Sequence, residues 1–193
     1  MSIEFELKYA ATAAAQEAIA AAFPADYHAI AMETTYFDTP NGGLSARHIT
    51  LRRRLENGLS VCTVKTPTPG LARGEWECEC DDITEAIPTL CGLGAPRELL
   101  LLTADGVIPI CGAKFTRRAA QISAEGAELE LALDSGILLG GGREIPLCEV
   151  ECELKSGSPE AVLAFGKALS ARFGLSAESK SKFRRALALA KGE

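Results

Sequence analysis

Apolar and polar residues alternate along most of the chain. From Ile3 to Tyr9 the odd positions are apolar and the even ones are Glu4, Glu6 and Lys8, which predicts a strand with one charged face. Thr12–Phe23 is rich in Ala and stops at Pro24, the signature of a helix. Thr34–Asp38 is a short β-prone run closed by the turn cluster Thr39-Pro40-Asn41-Gly42-Gly43. Leu44–Leu55 and Leu59–Lys65 predict two strands joined by a hairpin at Glu56-Asn57-Gly58. Gly74–Asp81 alternates again, and Ile83–Leu102 predicts one or two short helices broken by Gly92-Leu93-Gly94-Ala95-Pro96. Lys114–Ile122 and Ala127–Asp134 form a second strand pair around Glu125-Gly126, and Pro146–Lys155 alternates once more. Ser158 as N-cap and Pro159 at the first helical position open a helix. Its stripe of Val162, Phe165, Leu169 and Phe173 ends at Gly174. A last helix is predicted over Lys182–Ala190. With no repeat and no low-complexity linker, the pattern predicts one α+β domain over residues 1–193, dominated by antiparallel strands.

The charged positions share phases. Glu4, Glu6 and Lys8 lie on one strand face, as do Arg52 and Arg54, then Glu75, Glu77 and Glu79, then Glu128 and Glu130, then Glu149, Glu151, Glu153 and Lys155. On a single strand such a face is ordinarily the wet side of an antiparallel sheet. As a set they ask for more. Glu-x-Glu-x-Glu repels itself unless cations sit opposite, and most of these strands carry one sign only. The apolar stripes of the helices also need a sheet face to cover. If they take the apolar face, the sheet curls and its charged faces meet across a polar lumen. Cations lining such a lumen match a phosphate chain, and clustered carboxylates match Mg²⁺ or Mn²⁺.

Composition narrows the rest. The chain has 193 residues, 47% of them hydrophobic, enough for a substantial core. A net charge of −6 argues against nucleic-acid binding through the overall field. No apolar run of ~18 residues could span a bilayer, and the first residues lack the basic-then-apolar pattern of a signal peptide. The expected location is cytoplasmic, with neither membrane nor nucleic acid as partner. The seven cysteines include no C-x-x-C pair, which predicts reduced thiols buried as small apolar groups. His28 and His48 fall outside the charged phases and are expected at the surface or in turns. No Ser/His/Asp or Cys/His grouping offers a nucleophile.

Glu4-Phe5-Glu6-Leu7-Lys8 resembles the Glu-x-Glu-x-Lys signature of the CYTH superfamily, the triphosphate tunnel metalloenzymes. Its companions follow in order. Tyr36-Phe37-Asp38-Thr39-Pro40 resembles the family's Y-F-D-T segment. Leu51-Arg52-Arg53-Arg54 and Thr63-Val64-Lys65 resemble its next two strands, and Arg73-Gly74-Glu75-Trp76-Glu77 its R-x-E-x-E strand. Glu149–Gly157 resembles its late acidic element, and Ser179-Lys180-Ser181-Lys182 its C-terminal Ser-Lys. The resemblance implies an eight-stranded antiparallel tunnel with flanking helices. It implies that Glu4, Glu6, Glu149 and Glu151 hold a divalent metal, Mg²⁺ or Mn²⁺. It implies that Lys8, Arg52, Arg54, Lys65, Arg117 and Lys180 grip the phosphates, with Arg118 as the alternative to Arg117. Strict alternation cannot put Lys114 and Arg117 on one face without a bulge. Glu75, Glu77, Glu128 and Glu130 would complete the lining, holding a second metal or orienting water, and Glu4, Glu6, Lys8, Glu75 and Glu77 would carry the catalysis. The implied activity is metal-dependent hydrolysis of a triphosphate, with inorganic triphosphate cut to pyrophosphate and phosphate. Thiamine triphosphatase, class IV adenylate cyclase and a non-catalytic polyphosphate-binding module are the alternatives. Many bacterial relatives add a C-terminal helical polyphosphate-binding domain, and none is expected in this sequence. The protein is expected to be a monomer or homodimer.

Overall fold

Residues 2–10 pair on two sides, and that pairing closes the sheet. The computed structural model describes residues 2–67 and 73–193, with side chains for 5–67 and 74–193. Strands β1 (Ser2–Glu4) and β2 (Glu6–Ala10) are separated by Phe5 alone. β1 pairs antiparallel with β6 (Arg73–Glu79), and β2 pairs antiparallel with β9 (Arg143–Ser156). From β6 the order continues through β5 (Leu59–Pro67), β4 (Thr50–Glu56), β3 (His28–Asp38), β7 (Ile108–Ala124) and β8 (Ala127–Gly140) to β9. One residue spans ~3.8 Å, so the two ends of this order lie side by side. With β1 and β2 counted as one bent strand beside β3 to β9, the ring is an eight-stranded antiparallel barrel. A two-residue strand, β10 (Ser176–Ala177), is added outside β2.

Tight turns set the register. Asn57-Gly58 and Glu125-Gly126 both have left-handed backbone, at φ 51° and 91° and at 52° and 76°, which matches the right-handed twist of the flanking strands. A third turn of this kind, Gly141-Gly142 at φ 58° and 72°, joins β8 to β9; Gly-Gly is a hairpin pair, but the strands predicted on either side stop short of it. Four strands are longer than the alternation predicts: β3 starts at His28, β7 starts at Ile108, β8 runs on to Gly140 and β9 starts at Arg143. Gly136 and Gly140 interrupt the pattern because something lies against them. A Cβ on Gly140 would collide with the backbone of Ala186 and Ala190.

Four helices cover the outer, apolar face. α1 (Ala13–Ala22) and α4 (Pro159–Phe173) pack over β2, β8 and β9 in a cluster of Ile19, Leu129, Leu131, Leu133, Val150, Val162, Phe165 and Leu169. α2 (Ile83–Gly92) and α3 (Glu98–Leu102) pack over β4–β6, around Leu51, Val64, Trp76, Ile87, Leu90 and Leu99. Each such buried side chain contributes about 1.5–3 kcal/mol. α5 (Lys182–Lys191) differs. Ala186 packs with Met32, Ala113, Phe115, Leu138 and Leu147. The strand register puts these five on the same face as Arg117, Asp134 and Glu149. α5 is therefore inside the barrel, at the end marked by the β8–β9 turn. Of the described residues, no helix is long and apolar enough to cross a membrane.

Candidate active site and metal centre

Alternation carries the charged phases into one cavity of about 580 Å³. Glu6 and Lys8 of β2, Arg52 and Arg54 of β4, Lys65 of β5, Glu75 and Glu77 of β6, Arg117 of β7, Glu130 of β8 and Glu151 of β9 all line it. So do Glu153, Lys155 and, from the start of α5, Ser181, Lys182 and Phe183. The cross-strand register explains the assembly: Glu75 faces Lys65, Glu77 faces Thr63, Thr63 faces Arg52, and Lys8 faces Glu151. The side chain of Glu4 lies outside the described residues.

Several predicted residues are placed elsewhere. Arg118 points outward and pairs with Glu17 of α1 at 2.8 Å, while Arg117 takes the inner position, so strict alternation holds here without a bulge. Lys180 is exposed, and its neighbour two residues on, Lys182, is the lysine that reaches the lumen. Glu128 sits at an exposed strand end beside a register shift, where it accepts a 2.7 Å hydrogen bond from Ser123. Glu149 is fully buried beside the cavity, under the first turns of α5.

The β4–β5 wall is cationic and loosely paired. Arg52 meets Glu75 at 3.7 Å and Arg54 meets Glu56 at 3.8 Å. Arg54 Nε donates to Thr34 Oγ1 at 2.9 Å. Among the described residues, Arg52 Nε and Thr63 Oγ1 are buried with no hydrogen-bond partner. Burial, and then the charge of Arg52, push Arg54 down to about 10. A buried cation beside another cation is the electrostatic state that an anion relieves.

The β8–β9 wall is acidic and closely ion-paired, although, among the described residues, Arg185 Nε is also buried with no hydrogen-bond partner. Oxygens of Asp134, Glu149 and Glu151 lie within 4.8 Å of one another. Lys182 Nζ reaches Asp134 at 2.8 Å, Glu149 at 2.6 Å and Glu151 at 2.7 Å. Arg117 forks onto Asp134 at 2.8 and 2.7 Å and also binds Glu151, while Arg185 binds Glu149. Burial opposes the charge of Lys182, but Glu151, Asp134 and Glu149 outweigh it and hold its pKa above the ordinary lysine value. Burial likewise works against Glu151, yet Lys182, Arg117 and Lys8 keep its carboxyl well below the usual range. Gln16 of α1 fastens this wall from outside, donating to the backbone oxygens of Asp134 and Glu149 at 2.9 Å each. Between the walls stands Phe115, with Arg54, Arg117 and Lys182 at 5.7, 5.9 and 5.3 Å from its ring centroid.

The donor set fits a hard divalent cation: carboxylate oxygens from adjacent strands converge, with Glu6 lining the same cavity. Sequence reasoning missed Asp134, Lys182 and Arg185. Asp134 was findable, because it keeps the even phase of Glu128 and Glu130. Arg185 follows Lys182 by one helical turn and so shares its face.

A family model described as CYTH domain matches residues 2–187. An inorganic triphosphatase of Haemophilus influenzae is 29% identical over an alignment of 155 residues that covers 78% of this chain. The chain covers 44% of that relative's length. Among solved structures, a Hippeastrum protein named as an adenylyl cyclase and described as revealing a dominant triphosphatase activity superposes with a TM-score of 0.66. It is 21% identical, with 100% of this chain and 97% of the other covered. A Pyrococcus horikoshii protein gives a TM-score of 0.66 at 24% identity, covering 97% and 99% of the two chains. At these identities the two structures speak to the fold.

Proposed function

The chain belongs to the CYTH domain family, and on that premise we propose that it hydrolyses a linear triphosphate, with inorganic triphosphate as substrate and pyrophosphate and phosphate as products. One observation carries this reading: desolvated, under-paired arginines face a carboxylate cluster across a single lumen. Arg52, Arg54 and Lys65 bind and align the phosphate chain, with Lys8 and Arg117 reaching it from the opposite side. Asp134, Glu149, Glu151, Glu6 and the sequence neighbour Glu4 are the residues to hold Mg²⁺ or Mn²⁺. Such an ion, when bound, supplies Lewis-acid neutralisation of phosphate oxygens. Glu77 lines the lumen and has no ion-pair partner among the described residues, so its carboxylate is the acceptor assigned to the attacking water's proton. Glu75, shared between Arg52 and Lys65, orients those two cations. We place the enzyme in the cytoplasm, with a small-molecule phosphate compound as its partner.

The test is a substrate panel. Purified protein is given inorganic triphosphate, ATP, thiamine triphosphate and pyrophosphate with Mg²⁺ or Mn²⁺, and phosphate and cyclic AMP are measured. Phosphate release fastest from inorganic triphosphate, and none without metal, is the expected result. Cyclic AMP as the main product would move the assignment to a cyclase, and binding of triphosphate without turnover would move it to a binding module. Glu6→Gln should remove metal-dependent turnover; a rate within about twofold of wild type would take Glu6 out of the metal set.

A further inference from the structure

The acidic wall already holds a cation, the ammonium of Lys182. Among the described residues it is the one group that touches all three carboxylates, at 2.6–2.8 Å, while Arg117 and Arg185 approach from the flanks. The three acceptors sit on β8 and β9, but Lys182 is the first residue of α5. The cluster of Asp134, Glu149 and Glu151 with Arg117, Lys182 and Arg185 is formally neutral. A neutral cluster exerts little long-range pull on a second cation, so an entering metal has to replace a resident charge. Lys182 is the one built to leave. Its ammonium is compact, on a flexible four-carbon stem, whereas the forked contacts of Arg117 are fixed in geometry. The turn before it is solvent-facing: Ser179 and Lys180 are exposed, the Lys180 amide donates to Glu178 Oε1 at 2.8 Å, and Ser181 caps the helix through one 3.2 Å bond from the Arg184 amide, while Phe183 seats the first turn against the Tyr36 ring.

We propose that a divalent cation enters the carboxylate triad by exchange with the Lys182 ammonium, so that metal loading releases the first turn of α5 and frees Lys182 to face the phosphate chain. The inference rests on the metal reading given under the proposed function. The charges balance simply. A dication comes in and the ammonium stays within the lumen, so the lumen gains two positive charges. Metal binding therefore raises the affinity for a polyanion, and by linkage the polyanion raises the affinity for metal.

The test measures Mn²⁺ binding directly, by electron paramagnetic resonance of free Mn²⁺, with no phosphate compound present. Lys182→Met should bind Mn²⁺ at least about tenfold tighter than wild type, because no internal cation competes. Arg184→Met removes a charge from the exposed side of the same helix and should stay within about twofold of wild type. Hydrogen exchange on the wild-type protein gives a second readout: saturating Mn²⁺ should cost amide protection at residues 182–186 and leave β9 protected. If wild type binds Mn²⁺ and Lys182→Met binds it no tighter, the exchange is wrong and the metal reading stands. If neither protein binds Mn²⁺, both fall. Should Lys182→Met not fold, unchanged protection of α5 in wild type on Mn²⁺ saturation overturns the proposal by itself.

Discussion

Arg54, buried, and Arg117, mostly buried, are guanidiniums in one lumen, and their surroundings push them in opposite directions. For Arg117 burial opposes the charge, but Glu151 and Asp134 outweigh it and its pKa rises further. For Arg54 burial is reinforced by Arg52, and its pKa falls to about 10. The first stands on the β8–β9 wall, where every carboxylate of the triad is met by a cation at hydrogen-bonding distance. The second stands on the β4–β5 wall, where arginine–carboxylate distances are 3.7 and 3.8 Å. The same residue types thus do two jobs. Closely matched buried charges fasten α5 and the long strands, while under-matched ones keep a cost in the empty protein that an anion removes. The electrostatic cost that an anion relieves is thus concentrated on the β4–β5 side of the barrel.

That division makes ordered predictions. The largest effect belongs to Glu151→Gln, which leaves Lys182 and Arg117 under-compensated in a buried site. Breaking such a pair costs about 3–5 kcal/mol, so calorimetry should show the melting temperature falling on the order of 10 °C. Arg54→Met should do the reverse. Its melting temperature should equal or exceed wild type, while kcat/KM for triphosphate drops about 10- to 100-fold, the ~1.5–3 kcal/mol of one charged hydrogen bond. If Arg54→Met lost as much stability as Glu151→Gln, the two walls would not differ as described.

Acidity offers a gentler probe. Glu151 has a folded pKa below its unfolded value near 4.3, so the stability it contributes is complete above about pH 5 and is lost as pH falls through the depressed folded pKa. Lys182 is raised, so its contribution holds below about pH 10.4 and is lost only above that, as pH climbs through the folded pKa. Burial pushes the thiols of Cys62, Cys111 and Cys152 up to about 12, so their contribution is complete only below the unfolded thiol pKa of about 8.5 and is lost above it. Melting temperature should accordingly be level from about pH 6 to 8 and fall on both sides, and Glu151→Gln should have the shallower acid limb. The smallest effect is expected of Arg118→Ala, which removes an outer-face pair with an exposed Glu17. It should change stability by less than about 0.5 kcal/mol and leave turnover unchanged.

Much of the lumen was legible because alternation is a strict rule. Glu6 with Lys8, and Arg52 with Arg54, could be put on shared faces from parity, Lys65 came from the family resemblance, and the structure brings all five to one cavity. Parity stops helping where a strand ends or a helix starts. Glu128 has the inner phase but lies at an exposed strand end. In Ser179-Lys180-Ser181-Lys182, the lysine that enters the lumen is decided by which serine caps α5, and Ser181 does. The periodicity of α5 reveals an apolar face but not which side of a curved sheet it will take. The clue was Gly140, whose missing side chain makes room for Ala186. The length of β8 was hidden by Gly136 and Gly140, and the start of β7 by Gly112.

The single residue between β1 and β2 has a kinetic consequence. The pairing partners of residues 2–10 are 73–75 on one side and 149–153 on the other. The seam therefore waits for contacts of very high sequence separation, which slows folding. Until then the curved sheet carries two raw margins able to recruit a margin of another molecule. Folding yield at high concentration should thus depend more on this short N-terminal stretch than its few side chains suggest.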